Sequence, residues 1–135
     1  MAALQLTLQA FLAHHGALPQ VWGQVDCCLV LADWAVWLGN DDPAADLRGS
    51  YDSEEGCRAV VSAAGGLLPL VAGCAARAGW LEAEEQAIGV VGVIGSPAIV
   101  NRQWGAIWDG RHWLVRMADG FVSFTAKPFF VWSCR

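Results

Sequence analysis

The sequence predicts an α+β domain, with helices filling its N-terminal half and an antiparallel sheet its C-terminal half. Three observations carry that prediction. Apolar residues recur at helical spacing up to Ala78, the pattern changes from Ile88 onward to short runs rich in β-branched and aromatic residues, and Asp109-Gly110 separates two of those runs as a hairpin turn would. A chain of 135 residues fits one core, so residues 1–135 are expected to form a single domain.

In the first segment, Ala3 to His15, Leu4, Leu8, Phe11 and Leu12 share one helical face and Gly16 stands where a helix stops. His14 and His15 then fall in the last turn, where a cation complements the helix dipole, and are expected to serve as capping residues. After an irregular stretch, Asp26 occupies an N-cap position ahead of Cys27 to Leu38, a segment apolar on nearly every face and therefore expected to be the central buried helix. Asn40-Asp41-Asp42-Pro43 breaks the chain. Ser53 caps a third helix to about Ala64, and Leu67 to Ala78 forms a fourth, with Pro69 in its first turn and Gly79 as its stop. The expected strands are Ile88 to Ile94, Trp104 to Trp108, His112 to Met117, Phe121 to Thr125 and Phe129 to Trp132, with a second turn at Asp119-Gly120. A two-residue turn at Asp109-Gly110 sets Ile107 opposite His112 and Gln103 opposite Arg116.

Composition excludes several functions. Eight basic residues against thirteen acidic ones give a formal charge of −5, which leaves phosphate-driven nucleic-acid binding without an electrostatic basis. No apolar run reaches the ~18–20 residues of a membrane span, and the longest, Leu29 to Leu38, contains Asp33. The N-terminus carries no basic leader, so synthesis in a cytoplasm is expected. Five cysteines without Cys-x-x-Cys spacing argue for reduced thiols rather than a disulfide framework. Cys27, Cys28, Cys57, Cys74 and His112 also lack the paired spacing of a zinc site, and no glycine loop followed by Lys cradles a phosphate, so no metal and no cofactor are expected. Eight Trp residues admit two readings: a well-filled core, or apolar surface for a partner.

The residue pattern with most chemical content is Trp22-Gly23-Gln24-Val25-Asp26-Cys27-Cys28. It sets a thiol at the head of a buried helix, whose partial positive charge favours thiolate. Cys27 is thus a candidate nucleophile; equally, a Cys opening an apolar helix is a small buried hydrophobe.

Asp26-Cys27 at the start of a central helix, a glycine-led strand, and the strand Trp104-Gly105-Ala106-Ile107-Trp108 together resemble the NlpC-type branch of the papain-like cysteine peptidases of cell walls. More narrowly, Trp22-Gly23, Asp26-Cys27, Asp33, Gly39-Asn40-Asp41-Asp42-Pro43 and Arg48-Gly49-Ser50-Tyr51 resemble an offshoot of that superfamily found among the tail genes of long-tailed phages. The resemblance spans Val21 to Phe124 and implies a papain-like fold, the central helix packed on the sheet. In the active branch a His opens the strand that is occupied here by Gln103, a third polar group orients that base from near Arg116, and a Gly-Asp site reads Gly89-Val90. Gln cannot accept a proton, and losing a general base costs ~10²–10⁴-fold in rate. His112 cannot replace it, because four strand residues separate its predicted partner Ile107 from Gln103, ~13 Å. The resemblance therefore implies a phage tail protein that retains the peptidase fold without its activity. It would be made in the bacterial cytoplasm, reside in the virion tail, and assemble with other tail-tip or hub subunits. The alternative is an active peptidoglycan hydrolase with Cys27 as nucleophile and peptidoglycan as substrate. A third option is a small-ligand module lined by Trp22, Trp104 and Trp108.

Overall fold

The computed structural model describes residues 2–84, 86–99 and 102–134. Four helices, α1 (Ala2–Gly16), α2 (Val30–Trp37), α3 (Glu54–Ala63) and α4 (Leu67–Ala78), precede the whole sheet in sequence. The strands are β1 (Leu81–Glu82), β2 (Val91–Gly95), β3 (Gln103–Trp108), β4 (Trp113–Met117), β5 (Gly120–Phe124) and β6 (Phe130–Ser133). They form one antiparallel sheet in the order β1-β6-β2-β3-β4-β5. The α+β architecture expected from the sequence is thus the observed one.

Alternation along β2 and β3 divides the apolar residues between the two faces of the sheet. Val91, Val93 and Ile107 join Trp132, Leu8, Phe11, Val30, Leu31, Trp34 and Val71 in the main core between sheet and helices. Val90, Ile94, Ala106, Trp113 and Val115 form a second cluster. α2 lies directly on β3, because Gly105 has no side chain: a Cβ there would sit 2.9 Å from Leu31. At the centre, fully buried Trp34 packs against Phe11 with ring centroids 5.2 Å apart, and its indole N–H donates to the Gly89 carbonyl at 2.8 Å. Three Trp residues (Trp34, Trp113, Trp132) are buried, four are half-buried, and Trp37 is 41% exposed.

Capping chemistry set the helix limits where it is local. Ser53 accepts from the Gly56 N–H at 3.0 Å, and Gly79 closes α4 in the left-handed conformation, both as expected. Two boundaries differ. The regular turns of α2 begin at Val30, not Cys27, and residues 27–29 form an irregular turn held by Asp26. β2 begins at Val91 rather than Ile88, since Gly89 turns with φ +89°.

The β3–β4 connection also corrects the expected register. Asp109 Oδ1 accepts from the N–H groups of Arg111 and His112 at 2.8 and 2.7 Å, which widens the predicted two-residue turn to four residues. Ile107 pairs with Leu114 and Trp108 with Trp113, so the register moves by two residues while each side chain keeps its face. Extending it, Gln103 falls opposite Ala118, not Arg116. The β4–β5 turn has its tip at Ala118-Asp119, since Met117 pairs with Gly120.

A candidate active-site cleft and its neighbour

Asp26 organises the turn that carries the thiols. Its buried carboxyl accepts from Gly23 N–H (2.9 Å), Cys28 N–H (2.9 Å), Leu29 N–H (2.9 Å) and the Tyr51 hydroxyl (2.7 Å). The bonds from Cys28 and Leu29 satisfy N–H groups at the approach to α2, where a helix start leaves donors without intrahelical acceptors. Burial, followed by the Asp26 hydrogen bond, holds the Tyr51 phenol well above its ordinary range, so Tyr51 is a donor here. Gly23 is required in this arrangement: it has φ +85°, and a Cβ would come within 2.0 Å of the Tyr51 carbonyl oxygen.

Above this turn lies a cleft of about 350 Å³, lined by Trp22, Cys27, Cys28, Glu54, Cys57, Arg58, Val61, Leu67, Gln103, Trp104 and Met117. Cys27 and Gln103, remote in sequence, therefore share one cavity. Gln103 is fixed by donation from Nε2 to the Ser96 carbonyl at 3.1 Å. Its Oε1 is buried and has no hydrogen-bond partner among the described residues. Trp22 and Trp104 line the cleft; Trp108 instead packs on Trp113 with centroids 5.2 Å apart.

None of the three histidines lines this cleft. His112 lies in the β3–β4 turn, and His14 and His15 border a different cleft, of about 510 Å³, shared with Phe11, Asp33, Trp37, Asp42 and Arg48. His15 is more than the capping residue expected from its position. It is 3% exposed, its Nε2 lies 2.7 Å from Asp33 Oδ2, and its Nδ1 accepts from Arg116 Nε at 3.2 Å. Because guanidinium can only donate, the ring proton must sit on Nε2 and point at Asp33. Asp33 also takes Arg48 Nη2 at 2.6 Å, and Arg48 Nε bonds Asp42 at 2.6 Å. Arg116, His15, Asp33, Arg48 and Asp42 thus form one chain of alternating donors and acceptors. The Arg48 hydrogen bond holds the Asp42 carboxyl below its usual range, against a weaker opposing effect of burial.

Arg116 does not line the thiol cleft. Its guanidinium reaches the carbonyls of His15 (3.3 Å) and Leu18 at the end of α1, and those of Met117 and Ala118 on its own strand. It ties β4 to the C-terminus of α1, satisfying carbonyls that a helix end leaves open. The position anticipated for a third polar group beside a catalytic base is occupied by a structural clamp.

The thiol cleft contains one feature that the sequence pattern did not single out. Cys28 and Cys57 place their sulfurs 3.0 Å apart, although 29 positions separate them. Hydrogen bonds to Cys27 and to Cys57, together with burial, push the Cys28 thiol far above the ordinary range, while the bond from Cys28 lowers Cys57 despite burial. None of the five cysteines is in a disulfide, and among the described residues no group of three or more His, Cys, Asp or Glu side chains is arranged to hold a metal ion.

Residues 1–130 match a family described as a domain of unknown function, DUF6950. The chain belongs to that family. Neither the curated proteins nor the solved structures contain a match to it. Among the described residues no single helix is long and apolar enough to cross a membrane.

Proposed function

We propose that this protein is a non-catalytic component of a bacteriophage tail, built on a papain-like scaffold whose peptidase chemistry has lapsed. One observation carries the proposal. The cleft that holds the half-buried thiol of Cys27 presents an amide, Gln103, and no imidazole. A thiol so placed keeps its intrinsic nucleophilicity but lacks a group to take its proton or to return one to a leaving amine. Among the described residues the imidazole bonded to a carboxylate is His15, which borders the other cleft and has both ring nitrogens occupied. The tail context, and with it the virion location, rests on the resemblance of Trp22-Gly23, Asp26-Cys27, Asp33, Asn40-Asp41-Asp42-Pro43 and Arg48-Gly49-Ser50-Tyr51 to the phage offshoot of the NlpC-type peptidases. The exposed pair Val36 and Trp37, at 45% and 41%, suits contact with other tail-tip or hub subunits.

The test is digestion of purified peptidoglycan by the isolated protein, with muropeptides read by mass spectrometry, beside Cys27→Ala. No release above a buffer control is expected from either. In a phage depending on this gene, Cys27→Ala should support assembly of infectious particles as the unaltered gene does. Release of muropeptides that disappears in Cys27→Ala would overturn the proposal in favour of a cell-wall hydrolase with Cys27 as its nucleophile.

A further inference from the structure

We propose that Cys28 and Cys57 are a redox pair that closes to a disulfide when the protein meets a hydroperoxide, tying the turn before α2 to the first turns of α3. The inference does not depend on the peptidase-like reading of the cleft. It stands on the placement of the two sulfurs, 3.0 Å apart and facing the same cavity. That separation is already inside ordinary sulfur–sulfur contact, and a covalent bond of ~2.05 Å needs an approach of only ~1 Å. A small peroxide has access through the cleft of about 350 Å³ that both residues line.

The other cysteines are placed differently. Cys74 borders a second, smaller cavity that Cys28 and Cys57 also line, but its sulfur receives a hydrogen bond from Arg77 at 3.4 Å, and Cys134 is buried beyond the end of β6. Cys27 shares the cleft, but it directly precedes Cys28 in the chain, and adjacent cysteines are poorly placed to bridge to each other. Of the two, Cys57 is the more readily ionised, because the hydrogen bond with Cys28 lowers its thiol while hydrogen bonds to Cys27 and Cys57 and burial raise that of Cys28.

The chemistry balances with a hydroperoxide, ROOH, as oxidant. Cys57 thiolate attacks the terminal peroxide oxygen, the O–O bond breaks, and the alkoxide leaves as ROH with the proton that Cys57 gave up. Cys57 is then a sulfenic acid. The Cys28 sulfur attacks that sulfur, the S–O bond breaks, and hydroxide departs with the Cys28 proton as water. Two thiols lose two electrons in total, and the peroxide gains them.

The experiment treats the full chain with a small molar excess of hydrogen peroxide, blocks residual thiols after denaturation, and maps the peptides without reduction. Titratable thiols should fall from the five of the sequence to three, with one cross-linked peptide joining Cys28 to Cys57. The oxidised protein should melt at a higher temperature than the reduced one, and dithiothreitol should reverse the shift. Cys27→Ser should retain the cross-link, and Cys57→Ser should lose it. Recovery of Cys27 as the bridged residue, or of sulfinic acids without any bridge at full peroxide consumption, would overturn the assignment. Because the decisive readout is the peptide map of the unaltered chain, a variant that fails to fold does not block the test.

Discussion

Two clefts, one at the turn before the central helix and one along that helix, divide between them what a cysteine peptidase would need in one place. The first gathers Cys27, Cys28 and Cys57 with Gln103 and no histidine. The second borders the imidazole and carboxylate pair of His15 and Asp33, with no cysteine. A nucleophile and a base are useful only within hydrogen-bond reach of each other. The difference between the clefts is also one of commitment. In the ion-pair cleft both nitrogens of His15 are bonded, whereas in the thiol cleft Gln103 Oε1 is unpaired and Cys27 is partly accessible. One is saturated and structural; the other retains unused polar groups.

The largest effect is expected from removing the support beneath the thiols. Asp26→Ala would strip partners from three backbone N–H groups and from the Tyr51 hydroxyl in a buried site. Bonds to a carboxylate contribute ~1.5–3 kcal/mol each when broken one-sidedly, though not additively, so a loss of ~3 kcal/mol or more is expected in urea unfolding. An ordinary N-cap contributes ~1 kcal/mol. A measured loss near that smaller figure would mean that the Tyr51 and Gly23 bonds add nothing, and that the turn is held by its packing instead.

The second effect breaks the saturated cleft. His15→Ala removes a buried ring that packs between Phe11 and Phe121, with centroids at 5.2 and 5.7 Å, and leaves Asp33 and Arg116 each one partner short. Asp33 keeps Arg48, and Arg116 keeps its carbonyl acceptors, so the expected loss is ~2 kcal/mol, smaller than for Asp26. Reactivity of Cys27 toward iodoacetamide should not change. If it did, the two clefts would be coupled through α2 and the division drawn above would fail.

The unequal legibility of the two sites has a physical cause. Local signals at Ser53, which bonds three residues ahead, and at Gly79, which adopts the left-handed conformation, mark helix ends that match the structure, whereas Asp26 caps an irregular turn three residues ahead of α2. The partners of His15 lie 18 and 101 positions away, and that of Cys28 lies 29 away; no periodicity encodes contacts made only by the fold. The hairpin was misread for a related reason. Asp109-Gly110 signals a turn, but the Asp109 side chain bonding two following N–H groups decides its length. β1 was missed because its two exposed residues, Leu81 and Glu82, are a strand only by pairing with Trp132 and Ser133. Cys27 and Gln103, both singled out in the sequence, do line one cavity.

That resemblance also gains a structural meaning. Gly23, Asp26 and Tyr51 converge on one carboxyl, while Asp33, Asp42 and Arg48 form one ion-pair chain. These are the residues that made the sequence look like the phage offshoot, and here they hold the loops around α2 in place. Their shared role in this fold is to build the scaffold around α2.

Gln103→His sharpens the comparison from the other side. The substitution gives the thiol cleft the imidazole it lacks, at the cost of the bond to the Ser96 carbonyl, ~1 kcal/mol. Cys27 should then be alkylated faster at neutral pH, by about tenfold or more, with the increase lost in Cys27→Ser/Gln103→His. An unchanged rate in a folded variant would mean that sharing a cavity does not bring residue 103 within reach of the Cys27 sulfur.

The smallest effect concerns acid. Asp42 has its carboxyl lowered chiefly by Arg48, so the stability that the pair contributes is fully present above the ordinary aspartate value of ~3.9 and is lost as pH falls through the lower, folded value. The pair is partly exposed, with side-chain accessibilities of 28% and 24%, so water and salt screen it and the contribution is expected to be ~1 kcal/mol at most. Asp42→Asn should therefore lower stability slightly at pH 7 and by a smaller margin near pH 3, where the wild-type carboxylate itself takes up a proton. An Asp42→Asn penalty that stayed constant from pH 7 to pH 3 would assign it to the Ala44 N–H bond of the same side chain, at 3.0 Å, which an Asn oxygen keeps only in one orientation. The ion-pair chain would then end at Asp33, and Arg48 would owe its position to that carboxylate alone.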